Sequence, residues 1–336
     1  SMVSDWVRRW IAGVMVGALL PLYAFEMAVH VEEPAGVERR GELCLGGVPL
    51  PRGAVSDIRR LRLVDAQGRP VPLQARLINR RPAGDIEWVH LAFPADVPAG
   101  GKATFRLDDR GSAATPPRPL ILAETADAVT LDTGVLQMRL PKDRFDGLGR
   151  VWLDLNGDGR YADDEAIIDG GGLTIFGMDG KIYRSVTDLT APLTVSLEEH
   201  GPLFATVRIE GTMKLQSADG GHHAYPTYNM DTREFDPEGV KLPNRDGTIG
   251  FAARIQVWAG QPIVRTWVTM RNLNGWSLDW VERKIQFGVY FADSAQKEGN
   301  WLVDGVHFDL RLNPKGALRW RFGGGIEGDQ VHEGAW

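Results

Sequence analysis

One cysteine in 336 residues, Cys44, leaves no partner for an intrachain disulfide and no basis for a Cys-built zinc site. It is expected at a core position. The seven histidines include no HExxH spacing, and neither a GxxxxGK[ST] run nor a GxSxG elbow occurs. Metalloprotease, P-loop and α/β-hydrolase chemistry therefore have no sequence support. Basic blocks are also missing, since Arg59-Arg60-Leu61-Arg62 and Arg80-Arg81 are short and read as strand edges or solvated faces. With 38 Lys+Arg against 44 Asp+Glu the net charge is −6, so nucleic acid is not an expected partner.

What is present is a folded, turn-rich chain. Its 43% apolar and 24% charged residues exclude general disorder, and 40 Gly with 20 Pro point to many tight turns. The length predicts about two domains.

The first 25 residues are a separate problem. Trp6-Val7-Arg8-Arg9-Trp10 is a basic start that leads into an apolar stretch ending at Tyr23 and Phe25. Two readings compete. A signal peptide would have this charge and h-region, with Ala24 or Ala28 as the small residue for cleavage. A membrane anchor would place Trp6, Trp10 and Tyr23 at the interfaces and hold Arg8 and Arg9 on the cytoplasmic side. Trp10 to Phe25 would rise roughly 24 Å as a helix, short against a hydrocarbon core of about 30 Å. The expectation carried forward is an uncleaved helix over 1–25, in a bilayer or against a partner. The rest of the chain would then lie in the periplasm beside an inner membrane; a secreted protein is the alternative.

From residue 26 onward apolar residues alternate in short runs separated by Gly, Pro, Asn and Asp, the pattern of an all-β chain. Strands are predicted at Ala28 to Glu32, Arg60 to Val64, Val71 to Leu77, Trp88 to Phe93 and Ala103 to Leu107, a spacing that suits a small barrel over 26–111. Residues 112–119, with Pro116, Pro117 and Pro119, lose the alternation and read as a stiff linker. Longer strands follow, at Ala128 to Leu131, Val135 to Leu140, Leu193 to Leu197, Leu203 to Leu215, Phe251 to Trp258, Ile263 to Met270 and Ile285 to Phe291. These predict a large antiparallel β-sandwich over 120–336, with a hairpin turn at Ala259-Gly260-Gln261-Pro262.

The runs Val31 to Arg40, Gly47 to Ala54, Leu61 to Asp65 and Glu87 to Leu91 resemble the N-terminal RIFT-barrel domain of the exo-rhamnogalacturonan lyase-like family. Asp132 to Leu140 and Phe251 to Gly260 are similar to that family's second, β-sandwich domain. The resemblance implies an all-β pair of domains, a small RIFT-type barrel followed by a sandwich, and a carbohydrate-enzyme ancestry. Members of the family continue into a C-terminal helical toroid that supplies much of the active-site cleft, whereas this sequence stops at Trp336 before anything helical begins. Lyase activity is therefore not carried over with the fold.

Three constellations could carry chemistry. In Asp154-Leu-Asn156-Gly-Asp158-Gly159-Arg160-Tyr-Ala-Asp-Asp-Glu165, hard oxygen ligands occupy loop positions 1, 3 and 5, glycine position 6 and glutamate position 12. Arg160 would offer its carbonyl. This is the spacing of a calcium loop, and without amphipathic flanking helices it would be a structural clamp; a solvated Asp/Gly hairpin is the alternative. The second is His223, Tyr225 and Arg233, within a segment 217–244 expected to be irregular. A base and a cation there would suit a lyase, and a polar loop without chemistry is the plainer reading. Among the eleven tryptophans, Trp276, Trp280 and Trp301 fall in or beside predicted loops, where an indole stacks on a sugar or anchors a protein partner. Trp258 and Trp267 are expected in the core.

Two functions follow as expectations. The first is a non-catalytic, membrane-anchored scaffold subunit holding a larger membrane complex together; a bacterial photosynthetic reaction-centre and light-harvesting complex is the host considered. The second is a secreted carbohydrate-active protein, a polysaccharide lyase-like enzyme or sugar-binding module acting on an acidic plant-type polysaccharide.

Overall fold

Alternation of apolar and polar residues carries most of the chain into antiparallel strands. The computed structural model describes residues 25–177, 180–215, 222–229, 234–243, 247–273, 303–316, 319–325 and 328–335. The expected helix, with Trp6, Arg8, Arg9, Trp10 and Tyr23, lies outside the described residues. Among the described residues no helix is long and apolar enough to cross a membrane. The chain is all-β, with several antiparallel sheets and only one-turn 3-10 helices at Ile58–Arg60 and Asp163–Glu165 among the described residues.

Seven strands make the N-terminal unit: β1 (Glu26–Glu32), β2 (Arg39–Pro49), β3 (Arg62–Val64), β4 (Pro70–Val71), β5 (Gln74–Arg80), β6 (Ile86–Val97) and β7 (Lys102–Asp108). They form two sheets, in the orders β1-β7-β3-β4 and β2-β6-β5. The inward residues of both sheets, among them Leu63, Val89, Leu91 and Leu107, share one core, and Phe93 meets Phe105 edge-on at 5.1 Å. Each such fully buried side chain contributes about 1.5–3 kcal/mol. β2 is absent from the sequence expectation. Gly41, Gly46 and Gly47 interrupt its pattern, and its burial does not alternate cleanly. Cys44 on β2 is half-buried beside the core instead of within it.

The second unit contains β8 (Ile121–Glu124), β9 (Ala128–Asp132), β10 (Leu136–Pro141), β11 (Arg150–Leu153), β12 (Ala166–Gly177), β13 (Ile182–Arg184), β14 (Thr194–His200), β15 (Phe204–Leu215), β16 (His222–Asn229), β17 (Glu234–Pro243), β18 (Gly247–Trp258), β19 (Val264–Asn272), β20 (Val303–Leu312), β21 (Arg319–Gly325) and β22 (Gly328–Ala335). One sheet runs β13-β12-β11-β10-β9-β8, with β20 along the other edge of β12; the facing sheet runs β14-β15-β18-β19. Between them Leu131, Met138, Val151, Val207, Phe251 and Ile255 make the sandwich core.

β12 and β20 approach closely because the strand carries Gly170-Gly171-Gly172. A Cβ on Gly171, whose φ is +151°, would collide with the Asp309 carbonyl, and the register shifts there. The Ala259 to Pro262 turn joins β18 to β19 with Gly260 at φ +70°.

Two expectations are corrected. The segment 217–244 is not irregular throughout: β16 and β17 pair as an antiparallel hairpin, with a register shift at Tyr225/Thr227 around Pro226. Proline has no N–H to give the ladder, which is why the strand pattern was masked. Trp267 is 44% exposed, because Val264, Val268 and Met270 on β19 take the core side and strand periodicity turns Trp267 outward. Trp258 is buried as expected.

Candidate functional site

The two cores meet at a seam built around one amide. Gln74, on the outer face of β5, is 7% exposed. Its Nε2 donates to the Phe204 carbonyl at 3.2 Å, and its Oε1 accepts from Leu203 N at 3.0 Å and Phe204 N at 3.1 Å. Gly201 leaves room for it, since a Cβ there would run into the Gln74 side chain. Beside the amide, Ala92, Phe204 and Trp258 form a small apolar cluster with Leu43 packed against it.

On one flank of the seam three ionisable residues converge. Glu199, at the bulge of β14, accepts from Arg76 Nε at 3.1 Å through Oε2. Its Oε1 lies 3.6 Å from His90 Nδ1, and both of those atoms are buried without a hydrogen bond. The His90 ring meets Phe204 edge-on at 6.4 Å. Two residues along β6 on the same outer face, Trp88 is 40% exposed; Leu45 and Ile78 are also exposed. Nothing local marked His90, Glu199 or Arg76 in the sequence, because they lie in three different strands and only the seam brings them together.

The outer face of β14-β15-β18-β19 continues from this cluster. Glu198 accepts from Arg254 at 2.7 and 2.8 Å and from Arg208 at 3.1 Å, and Glu210 takes Arg208 and Arg271. Both carboxyls are held below the usual range, chiefly by the Arg254 and Arg271 hydrogen bonds respectively. The Arg265 guanidinium carbon lies 5.2 Å from the centre of Trp258 and 5.6 Å from that of Trp267, stacking distances for a cation.

The 154–165 loop connects β11 to β12 and folds on its own amides. Asp154 accepts from Gly157 N at 2.8 Å and Gly159 N at 3.0 Å, Asn156 from Asp158 N at 2.8 Å, and Asp158 from Arg160 N at 2.8 Å. Glu165 is 5% exposed and spans the loop, accepting from Leu155 N and Ala162 N, each at 3.0 Å. Tyr161 donates to Asp132 at 2.6 Å, and burial together with that bond pushes its hydroxyl well above the ordinary tyrosine range. Positions 1 and 12 of the calcium spacing are thus brought to one loop. No three His, Cys, Asp or Glu side chains gather there, or elsewhere among the described residues, closely enough to hold an ion.

His223 and Tyr225 occupy β16, whose backbone alone is described, and Arg233, Trp276, Trp280 and Trp301 lie outside the described residues. The run Gly323-Gly324-Gly325-Ile326-Glu327-Gly328 has the spacing of a dinucleotide loop, but its ends belong to β21 and β22, an antiparallel hairpin. The strand-to-helix turn that such a motif requires is not there.

No family model matches the chain, and no curated protein matches it. Among solved structures, an alpha-mannosidase from Enterococcus faecalis V583 aligns at 11% identity and TM-score 0.45, covering 74% of this chain and 30% of that one. A protein of glycosyl hydrolase family 38 from Enterococcus faecalis aligns at 11% identity and TM-score 0.41, covering 75% of this chain and 32% of that one. The chain thus spans about a third of those proteins, and neither likeness carries a function to it.

Proposed function

We propose that this protein is a non-catalytic scaffold subunit, anchored in an inner membrane with its bulk in the periplasm, that stabilises a larger membrane protein complex. A photosynthetic reaction-centre and light-harvesting complex is the host considered. The observation that carries the reading is the Gln74 seam, which ties two separate cores into one support, while Trp88, Ile78 and Leu45 beside it stay exposed. Large apolar and aromatic side chains on an outer sheet face suit a protein contact more than a solvated surface. In the same reading the 154–165 loop takes a structural calcium ion on the strength of its ligand spacing alone, and the ion would have to draw Asp154, Asp158 and Glu165 away from the loop amides they accept from.

Fractionation of native membranes tests this. The protein should stay with a detergent-solubilised complex, Trp88→Asp should weaken that association, and rhamnogalacturonan should yield no unsaturated product. Mature chains beginning near Phe25 or Val29 in a soluble extract, or unsaturated product formed by the purified protein, would remove the scaffold. A secreted carbohydrate-active protein is the second reading. It is favoured by one specific arrangement, exposed Trp88 on the same face as His90 with Arg76 alongside, an indole platform next to a base and a cation.

A further inference from the structure

The linker between the two cores presents an arginine from a frame of prolines. Arg118 follows Pro116-Pro117 and precedes Pro119. Proline fixes its own φ and restricts the residue before it to extended backbone, so the segment has little freedom to lose. The stem of Arg118 lies on Gly134, whose φ is +85°; a Cβ built there would stand 3.4 Å from Arg118 Cδ. Nη1 donates to the Gly134 carbonyl at 3.5 Å, a long bond. Among the described residues no carboxylate is within ion-pair distance of Arg118, which is exposed, so most of its donors face solvent.

Arg118 lines a cleft of about 330 Å³ between the two cores, on the flank of the seam away from His90. That volume is at the lower end of the ~300–1,000 Å³ of small-ligand sites, which favour domain junctions. The cleft walls are apolar: Leu43 and Pro94 from the N-terminal unit, Pro116 and Pro117 from the linker, Leu203 and Trp258 from the sandwich. Arg118 is the charged wall residue, and Gln261 and the Trp258 indole add polar groups.

The donors available select the ligand. A guanidinium fork matches the two oxygens of one carboxylate. A phosphate site draws on several convergent backbone N–H groups, and the adjacent turn has spent its own: Ala259 N on Leu203 O at 2.8 Å, Gly260 N on Thr133 O at 2.7 Å and Gln261 N on Trp258 O at 3.2 Å. We infer that this cleft binds an apolar monocarboxylate, with the carboxylate on Arg118 and the apolar body against Trp258 and the proline walls. A free medium-chain or aryl acid and the C-terminus of an apolar peptide share that chemistry. The inference is independent of the scaffold reading.

Isothermal titration of the whole chain tests it, with decanoate, 3-phenylpropionate and the peptide acetyl-Pro-Leu-Phe, each as acid and as amide. At least one acid should bind one to one, and its amide should bind about tenfold more weakly or worse, the worth of a charged hydrogen bond. Arg118→Gln should lose the same factor, and Arg118→Lys, which keeps the charge but not the planar fork, should lose part of it. The peptide acid binding more tightly than both small acids would identify a chain terminus as the ligand; the reverse order would identify a free acid. Circular dichroism checks that the variants fold. No saturable binding of any acid, equal binding of acid and amide, or an unchanged Arg118→Gln would overturn the inference.

Discussion

Gln74 and Phe204 lie 130 residues apart and exchange two hydrogen bonds, Nε2 to the Phe204 carbonyl and the Phe204 N–H to Oε1. A buried amide that satisfies three backbone groups on the neighbouring unit is a specific lock, because no apolar residue of the same size offers both a donor and an acceptor. Gln74→Leu should strand the Leu203 and Phe204 groups and cost about 2–4 kcal/mol, read as a lower urea midpoint. Gly201→Ala, which drives a methyl into the Gln74 amide, should cost about 1–3 kcal/mol. Combined with Gln74→Ala it should cost less than it does alone, since the two changes share one contact.

A second lock is electrostatic. Asp108 is fully buried and receives Arg62 Nε at 3.1 Å and Nη2 at 2.9 Å. Burial by itself would raise its pKa, but the Arg62 fork, the Arg110 N–H and the Arg106 charge together lower it. Stability from this group is therefore complete above the ordinary aspartate pKa of about 3.9 and is lost as pH falls below it. Arg62→Ala should cost about 3 kcal/mol, with Arg106 at 3.7 Å as partial cover. In that variant acid unfolding should begin at a higher pH, because burial is then less opposed. Melting curves across pH 3 to 7 check both points.

Glu33 closes the N-terminal unit by accepting from Ala35 N, Val37 N and Gly100 N, with Arg39 alongside. Burial acts to raise its pKa, and those donors outweigh it, bringing the carboxyl to about 2. The sign is the usual one for a depressed acid: stability is fully present above the unfolded value near 4.5 and falls away as pH drops toward 2. Glu33→Gln should lower the melting temperature at pH 6 and flatten its fall between pH 4.5 and 2.

For the 154–165 loop, millimolar calcium should raise the melting temperature and excess chelator should lower it, as binding to the folded state requires. Asp158→Ala should abolish the response. An unchanged melting curve under both treatments would leave the loop as a hydrogen-bonded hairpin.

Much of the fold could be read from residue order, and the failures have definite causes. β1 reads cleanly because Met27, Val29 and Val31 alternate with polar residues, and Gly260 announces the β18–β19 turn. β2 and β12 were hidden because clustered glycines remove the side chains that carry alternation. β16 was hidden because Pro226 breaks it. Trp267 was assigned to the wrong face because an indole on a strand says only that it packs, while its neighbours decide which side it takes.

The sequence by itself determined the all-β class and the loop spacing from Asp154 to Glu165, because each is a local pattern of period or ligand order. Only the tertiary structure decided which side chains meet. Gln74 finds Phe204, His90 faces Glu199 across the seam, and Arg118 lines a cleft with Trp258, since contact between distant strands depends on how two cores pack and no local spacing encodes it.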